Sequence, residues 1–345
     1  FILGGDMTLF NGNRIRNNIE LSRLDLEAAT SDLAKARDDI RVAVAQAYVQ
    51  ILYDMEIVDV AENQVSIDSV QVARLKEMAA NGKASRADVS AQEATLAQSL
   101  VSLTQAENNL ALAVLDLTQL LELPSPEGFS VVKPSAESLE TGLLMTPEAI
   151  YEEAVSVKPV IKSEEIRLDH ALKNIDAAKG AFLPSLSMSA GLGSNYYTSS
   201  GYESNPFFTQ IKNNFSQYIG LNLSVPIFSR YSNRNQLRSA QLSFQNQQIQ
   251  LENTKKQLYK EIQQAYYNAV GAQEKYISCG VAARSARDAF DLAQARYEAG
   301  KAGITEYNEA KGRYISAESN LVQARYENLY QSKLLDFYRG LELVF

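Results

Sequence analysis

The sequence has little of the chemistry that enzymes and metal sites use. Its 345 residues include one cysteine, Cys279, and one histidine, His170. A single cysteine excludes an internal disulfide, and a single histidine excludes a histidine-based metal cluster within one chain. A phosphate-binding loop is also missing. An enzyme is therefore the weakest interpretation, and we expect neither a cofactor nor a metal.

Basic residues are also in short supply. The 41 acidic residues outnumber the 33 basic ones, which gives a net charge of −8. Binding to nucleic acid needs a basic face, so no nucleic acid partner is expected.

Long hydrophobic runs are missing as well, because the best candidate, 110–117, is far shorter than the ~20 residues of a transmembrane helix. The chain is therefore either soluble or crosses a membrane as strands.

Proline is absent from two long stretches of the sequence, and glycine is also absent from the first of them. Residues 13–80 contain neither, and residues 231–298 contain no proline. A helix of this length spans about 100 Å, which is too long for a compact domain. These stretches predict coiled-coil or helical-barrel elements.

Each long stretch stops at a glycine. Gly82 and Gly300 are typical of left-handed residues just past a helix end, and Ser85 and Thr305 are predicted to cap the helices that return. The returning helices are predicted over 85–121 and 305–341.

The second half of the chain repeats the first. Gly-Lys-Ala occurs at 82–84 and again at 300–302, and Ala-Tyr at 47–48 and again at 265–266, both 218 positions apart. A repeat of this length is too long for a stacked solenoid unit and indicates two duplicated halves. Because the repeat lacks a partner for 147–218, we expect about 70 residues to precede Phe1.

Three segments alternate small or polar residues with apolar ones, which is the period of a strand. They are 1–10, 185–193 and 219–228. The aromatic-rich segment 194–217 is predicted to be a long loop between the last two. A shorter helical stretch over 147–181, interrupted near Lys158-Pro159, precedes them, and a short strand is predicted at 129–132.

With these motifs in order, the chain resembles the TolC-like outer-membrane factors along essentially its whole length. The matching motifs are Leu-Pro-Ser-Leu at 183–186, Val-Pro-Ile-Phe at 225–228, and Arg-Tyr-Glu-Ala-Gly at 296–300 with Thr-Glu-Tyr at 305–307. The resemblance implies a mainly α fold with a β-barrel contribution. Long antiparallel hairpins would form a trimeric α-barrel, below a shared twelve-stranded transmembrane β-barrel.

The resemblance also implies a domain organisation. Barrel strands lie in 1–10 and 185–228, with the loop 194–217 extracellular, and an equatorial connector covers 124–150. A helix over 151–184 leads to the second hairpin, and the two periplasmic helical repeats cover 11–123 and 229–345.

The implied function is passive conduction through an outer-membrane exit duct of a tripartite efflux or type I secretion system. The implied location is the outer membrane of a Gram-negative bacterium, with extension into the periplasm. Its partners would be two further copies of itself, a periplasmic adaptor, an inner-membrane transporter and outer-membrane lipid. The sequence does not specify the transported substrate. The alternative is a soluble periplasmic helical-hairpin scaffold, which would need neither the alternating strands nor the duplication.

By the same resemblance, a pore gate lies at the turns. Tyr297 matches a gate tyrosine, and Glu306 and Glu309 match a pair of gate aspartates; Asp88 is the first-repeat counterpart of Glu306. Ala302 departs from the family pattern, where an arginine helps to lock the gate, and we expect Arg86 to replace it by pairing with Glu306. The adaptor-docking tips are predicted at Asn81, Gly82, Lys83, Ala299, Gly300 and Lys301.

Overall fold

The computed structural model describes residues 1–134, 144–201 and 203–345. Part of the predicted connector, 135–143, and Tyr202 of the predicted loop lie outside the described residues. The chain divides into two compact units. One unit comprises Phe1–Leu33 with Pro159–Lys256, and the other comprises Ala34–Lys158 with Gln257–Phe345.

Helices account for most of the described chain. They are α1 (Arg14–Ala80), α2 (Arg86–Leu120), α3 (Pro147–Val157), α4 (Pro159–Lys179), α5 (Phe207–Asn213), α6 (Ser232–Glu298) and α7 (Ile304–Tyr338). The strands are β1 (Ile2–Asn11), β2 (Ser185–Gly193) and β3 (Ser216–Ser224), and a 3-10 turn covers Gly180–Phe182. In the three described ranges, no helix has an apolar stretch long enough to span a membrane.

The duplication predicted from the sequence is confirmed by the helices. α1 and α6 each contain 67 residues, and α2 and α7 each contain 35. The left-handed backbone positions repeat as well: Gly82 has φ +69° and Gly300 has φ +72°. These glycines end the long helices as predicted, because only glycine adopts this conformation without a steric cost.

The first unit contains an antiparallel sheet in the order β1-β2-β3. β2 is central, and its Ser185 pairs with Asn11 of β1 and with Ser224 of β3. Where β1 leads into α1, Gly12 has φ +66° and lies directly against Gly180. A Cβ at Gly12 would be 2.2 Å from the Gly180 carbonyl oxygen, so this junction has room for glycine alone.

The second unit has a core on both sides of α1. Ile51 packs against Ala113 and Leu117 of α2, whereas Leu52 packs against Leu329 of α7. Adjacent residues on a helix point in directions about 100° apart, so α1 fills the space between its two neighbours. All of these side chains are less than 10% exposed.

Two strand predictions were wrong. Residues 129–132 form no strand, because Val131 packs against the helices and the Val132 carbonyl accepts a 2.9 Å bond from the Tyr48 hydroxyl instead of a ladder bond. The strand predicted at 219–228 is shifted to Ser216–Ser224. It ends shortly before Pro226, which has no N–H to donate to a neighbouring strand.

Two local predictions also need correction. The predicted loop 194–217 contains α5, and the buried side chain of Gln210 fixes it by donating to the carbonyls of Tyr197 at 3.0 Å and Asn205 at 2.7 Å. Thr305 does not cap α7. The helix begins one residue earlier, at Ile304, and its N-cap is the extended Gly303.

Candidate functional site

The two turns after α1 and α6 have the same hydrogen-bond pattern. In each, the N–H of the lysine after the glycine donates to the carbonyl five residues earlier, at 2.8 Å. This pattern closes the end of a helix tightly, so each hairpin has a defined tip. The six predicted docking residues are all exposed there.

Asp88 lies at the start of α2, beside the first turn. Its carboxylate accepts from the Ser85 hydroxyl at 2.7 Å and from the Ser85 backbone N–H at 3.1 Å. In return, the Asp88 N–H donates to the Ser85 hydroxyl, which completes a capping box. These bonds hold the pKa of the Asp88 carboxyl below its usual value. Ser85 is thus confirmed as a cap, while a gate role for Asp88 stays a prediction.

Tyr297 lies in the last turn of α6 and contacts both hairpins. Its ring centroid is 5.3 Å from that of Tyr307 on α7. On the other hairpin, the Arg74 guanidinium of α1 is 5.7 Å from the Tyr297 ring centroid and 3.3 Å from the carboxylate of the adjacent Glu298. Tyr297 and its neighbour therefore join α1, α6 and α7 near the tips.

An aromatic cluster continues from Tyr297 along α7. Phe290 packs against Tyr307 at 5.6 Å and stacks on Tyr314 with an interplanar angle of 3°. Tyr307 is only 3% exposed. Its burial, together with the negative charge of Asp68, raises the pKa of Tyr307 to about 12. The hydroxyl therefore stays protonated at neutral pH.

The two predicted gate carboxylates are on the exposed side of α7. Glu306 forms an ion pair with Arg296 of α6, and Glu309 is 3.6 Å from Arg313 on its own helix. Within the chain, the expected pair between Arg86 and Glu306 is not formed, and for the assembled duct it stays a prediction. Glu306 is paired with Arg296 instead, which is ten positions earlier across the short turn and reaches it directly. Among the described residues Arg86 has no ion-pair partner.

A buried polar network lies further from the turns, and sequence analysis missed it. Asp68 of α1 and Lys311 of α7 form an ion pair, with their side chains 0% and 4% exposed. Asp68 also accepts from Ser99 at 2.6 Å and from Gln92 at 3.1 Å, both on α2. The ion-pair partners are 243 positions apart, so no local pattern could have indicated this contact.

The geometry brings some predicted site residues together and separates others. Tyr297 and Glu306 share the α6–α7 turn, whereas Asp88 is engaged with its own helix cap. Within the described ranges, no group of three acidic, histidine or cysteine side chains could hold a metal. The site therefore has exposed carboxylates beside the α6–α7 turn, and buried aromatic and ionic contacts lie behind them.

Comparison with known proteins agrees with this architecture. The family model described as outer membrane efflux protein matches residues 1–122 and 150–340. TolC of Salmonella enteritidis is 23% identical over 95% of this chain and 71% of its own length. The pyoverdine export protein OpmQ of Pseudomonas aeruginosa is 26% identical over 89% of this chain and 62% of its own.

The similarity extends to solved structures. The outer membrane protein VceC of Vibrio cholerae superimposes with a TM-score of 0.77 at 20% identity, over 99% of this chain and 80% of its own. The predicted fold class, long helical hairpins with strands of a β-barrel, is confirmed by this likeness. The soluble scaffold considered as an alternative is not supported. The members of the matched family are channels rather than enzymes, and they lie in the outer membrane of Gram-negative bacteria. The chain belongs to the outer membrane efflux protein family and is an outer-membrane exit duct.

Proposed function

We propose that three copies of this chain enclose one duct and that the α6–α7 turns form its closed constriction. Glu306 and Glu309 line the constriction in this proposal. Three-fold symmetry turns them into two rings of carboxylates, which attract cations and raise the barrier to anions. The duct conducts passively, and we infer transport without catalysis.

The division of α7 into two faces is the observation that carries this proposal. Tyr307 and Lys311 are buried against the rest of the second unit, at 3% exposure each. Glu306 and Glu309 point away from that core, with side chains 45% and 63% exposed. Because residues three apart share a helix face, both carboxylates are available to the same aqueous space.

Single-channel conductance in planar bilayers tests the proposal. The double variant Glu306→Ala/Glu309→Ala is expected to lose cation selectivity and block by divalent cations, because both rings are removed. The matched control is Glu77→Ala, which removes an exposed carboxylate from the last turn of α1. Unchanged selectivity in the double variant, or an equal loss in the control, would contradict a constriction at these residues.

We further propose that the hairpin tips dock onto a periplasmic adaptor, which connects the duct to an inner-membrane pump. The exposed lysines of the tips, Lys83 and Lys301, support a contact of this kind. Reversal of both charges, Lys83→Glu/Lys301→Glu, is expected to weaken crosslinking to the adaptor without changing conductance. Equal crosslinking in the variant would remove the lysines from the interface.

A further inference from the structure

The contact between α1 and α7 changes in character along its length. Leu52 of α1 packs against Val322 and Leu329 of α7 in an apolar cluster. Further along α1, the partner is the ionic Lys311, which pairs with Asp68. From Leu52 to Asp68 the residue number on α1 rises, while the number of the contacted residue on α7 falls to 311. The two helices are therefore antiparallel.

Among the described residues, the Asp68–Lys311 pair is the buried ionic contact between α1 and α7 that lies nearest to the turns. Beyond it, the ion pair between Arg74 and Glu298 is partly exposed, with side chains 38% and 48% accessible. The buried pair therefore lies between the apolar cluster and the segment of α7 that carries Glu306 and Glu309. Arg325 and Glu56 form a similar but less buried pair on the apolar side of it.

Every charge in the network has a partner. The Asp68 carboxylate accepts hydrogen bonds from Lys311, Ser99 and Gln92, which belong to α7 and α2. A buried pair of this kind adds little stability over an apolar contact of the same size, but its disruption leaves a charge without compensation. Its effect is therefore to permit one arrangement of the helices and to penalise the others.

We propose that the Asp68–Lys311 pair is a positioning contact that holds α7 against the first hairpin and keeps the constriction closed. This inference rests on the proposed constriction at Glu306 and Glu309. Loss of the pair frees the end of α7 to move away from α1 and α2. The carboxylates of the three protomers then separate within each of the two rings, and the pore widens.

The experiment measures single-channel conductance of the reconstituted protein with Lys311→Met. This change leaves Asp68 buried with two neutral donors and no counter-charge. The open fraction is expected to rise on the order of tenfold or more, since one partner of a buried pair has been removed. The charge-swapped double variant Asp68→Lys/Lys311→Asp is expected to restore low conductance, which a simple loss of packing would not do.

Two further variants sharpen the test. Lys275→Met removes a partner of the exposed pair with Glu327, at 2.7 Å, and is expected to leave the closed state unchanged. Ser99→Ala removes one hydrogen bond from Asp68 but keeps the ion pair, so it is expected to give an intermediate conductance. If Lys311→Met does not assemble, Ser99→Ala decides the question.

The outcomes separate this inference from the proposed constriction. Wild-type conductance in both Lys311→Met and Ser99→Ala, while Glu306→Ala/Glu309→Ala still loses its selectivity, would overturn the positioning contact alone. Loss of the selectivity effect itself would overturn the constriction. Equal leakage in Lys275→Met would show that any ion pair between helices has the same effect, and would also overturn the inference.

Discussion

Arg74→Ala is the most informative single change near the tips, because Arg74 joins the two hairpins there. The substitution removes the contact with the Tyr297 ring and the 3.3 Å ion pair with Glu298. The pair is partly exposed, so we assign it less than 1 kcal/mol, and a cation–π contact at an exposed site contributes about 0.5–1 kcal/mol. The total is about 1 kcal/mol per protomer.

Three-fold symmetry multiplies this effect if the three tips open together. A loss of about 3 kcal/mol corresponds to roughly a hundredfold rise in the open fraction, since each 1.4 kcal/mol is tenfold. Independent tips would give about a fivefold rise each, so the size of the effect also reports whether opening is concerted. The assay is the mean current through single channels at fixed voltage.

Lys76→Ala is the matched control for Arg74→Ala. Lys76 is two residues further along α1 and pairs with Glu93 of α2 at 2.7 Å, which joins helices within one hairpin. It is therefore expected to leave the current unchanged. A wild-type current in Arg74→Ala, or the same leak in both variants, would refute the reasoning that contacts between hairpins control the constriction.

Two further predictions concern stability. Gly12→Ala and Gly82→Ala both place a side chain at positive φ, at a cost of about 1–2 kcal/mol. Only the side chain at position 12 would also collide with the Gly180 carbonyl. Thermal unfolding should therefore show a clearly larger loss of stability for Gly12→Ala than for Gly82→Ala. Similar losses in the two variants would contradict the close approach. Burial lowers the pKa of Lys158 from its ordinary value of 10.5 to about 8. Between these two pH values the lysine is protonated in the unfolded chain and neutral in the folded chain. The free energy of unfolding therefore rises with pH across this window. Relative to Lys158→Met, the free energy of unfolding of the wild type should increase by on the order of 1–2 kcal/mol across that window. A difference between the two proteins that does not change with pH would contradict the burial of a neutral amine.

The sequence was sufficient to predict those features that depend on local signals. The ends of α1 and α6 follow from Gly82 and Gly300, because a left-handed glycine is a strong and local stop signal. The equal lengths of the duplicated helices follow from the repeat. Ser85 was recognisable as a cap because it follows the glycine turn at the start of the returning helix, and Asp88 three residues later completes its capping box.

The contacts between hairpins were beyond sequence reasoning. Glu306 was expected to pair with Arg86, yet Arg296 is its partner, since the turn brings the ends of α6 and α7 together. The residues around Asp68 and around Lys311 do not indicate that either side chain is buried, because each is a charged residue in a helical stretch of mixed polarity. Burial of this kind is decided by which helices meet, and helix packing depends on residues that are distant in the chain.

The central claim, that the exposed face of α7 lines the constriction, is tested most directly with a thiol at position 309. Glu309→Cys in a Cys279→Ser background places three thiolates around the proposed pore axis, and soft thiolates bind Cd²⁺. We predict that micromolar Cd²⁺ blocks the single-channel current of this variant reversibly and has no effect on Glu77→Cys in the same background. An unblocked current in Glu309→Cys, with the thiol shown to be reactive, would contradict the account.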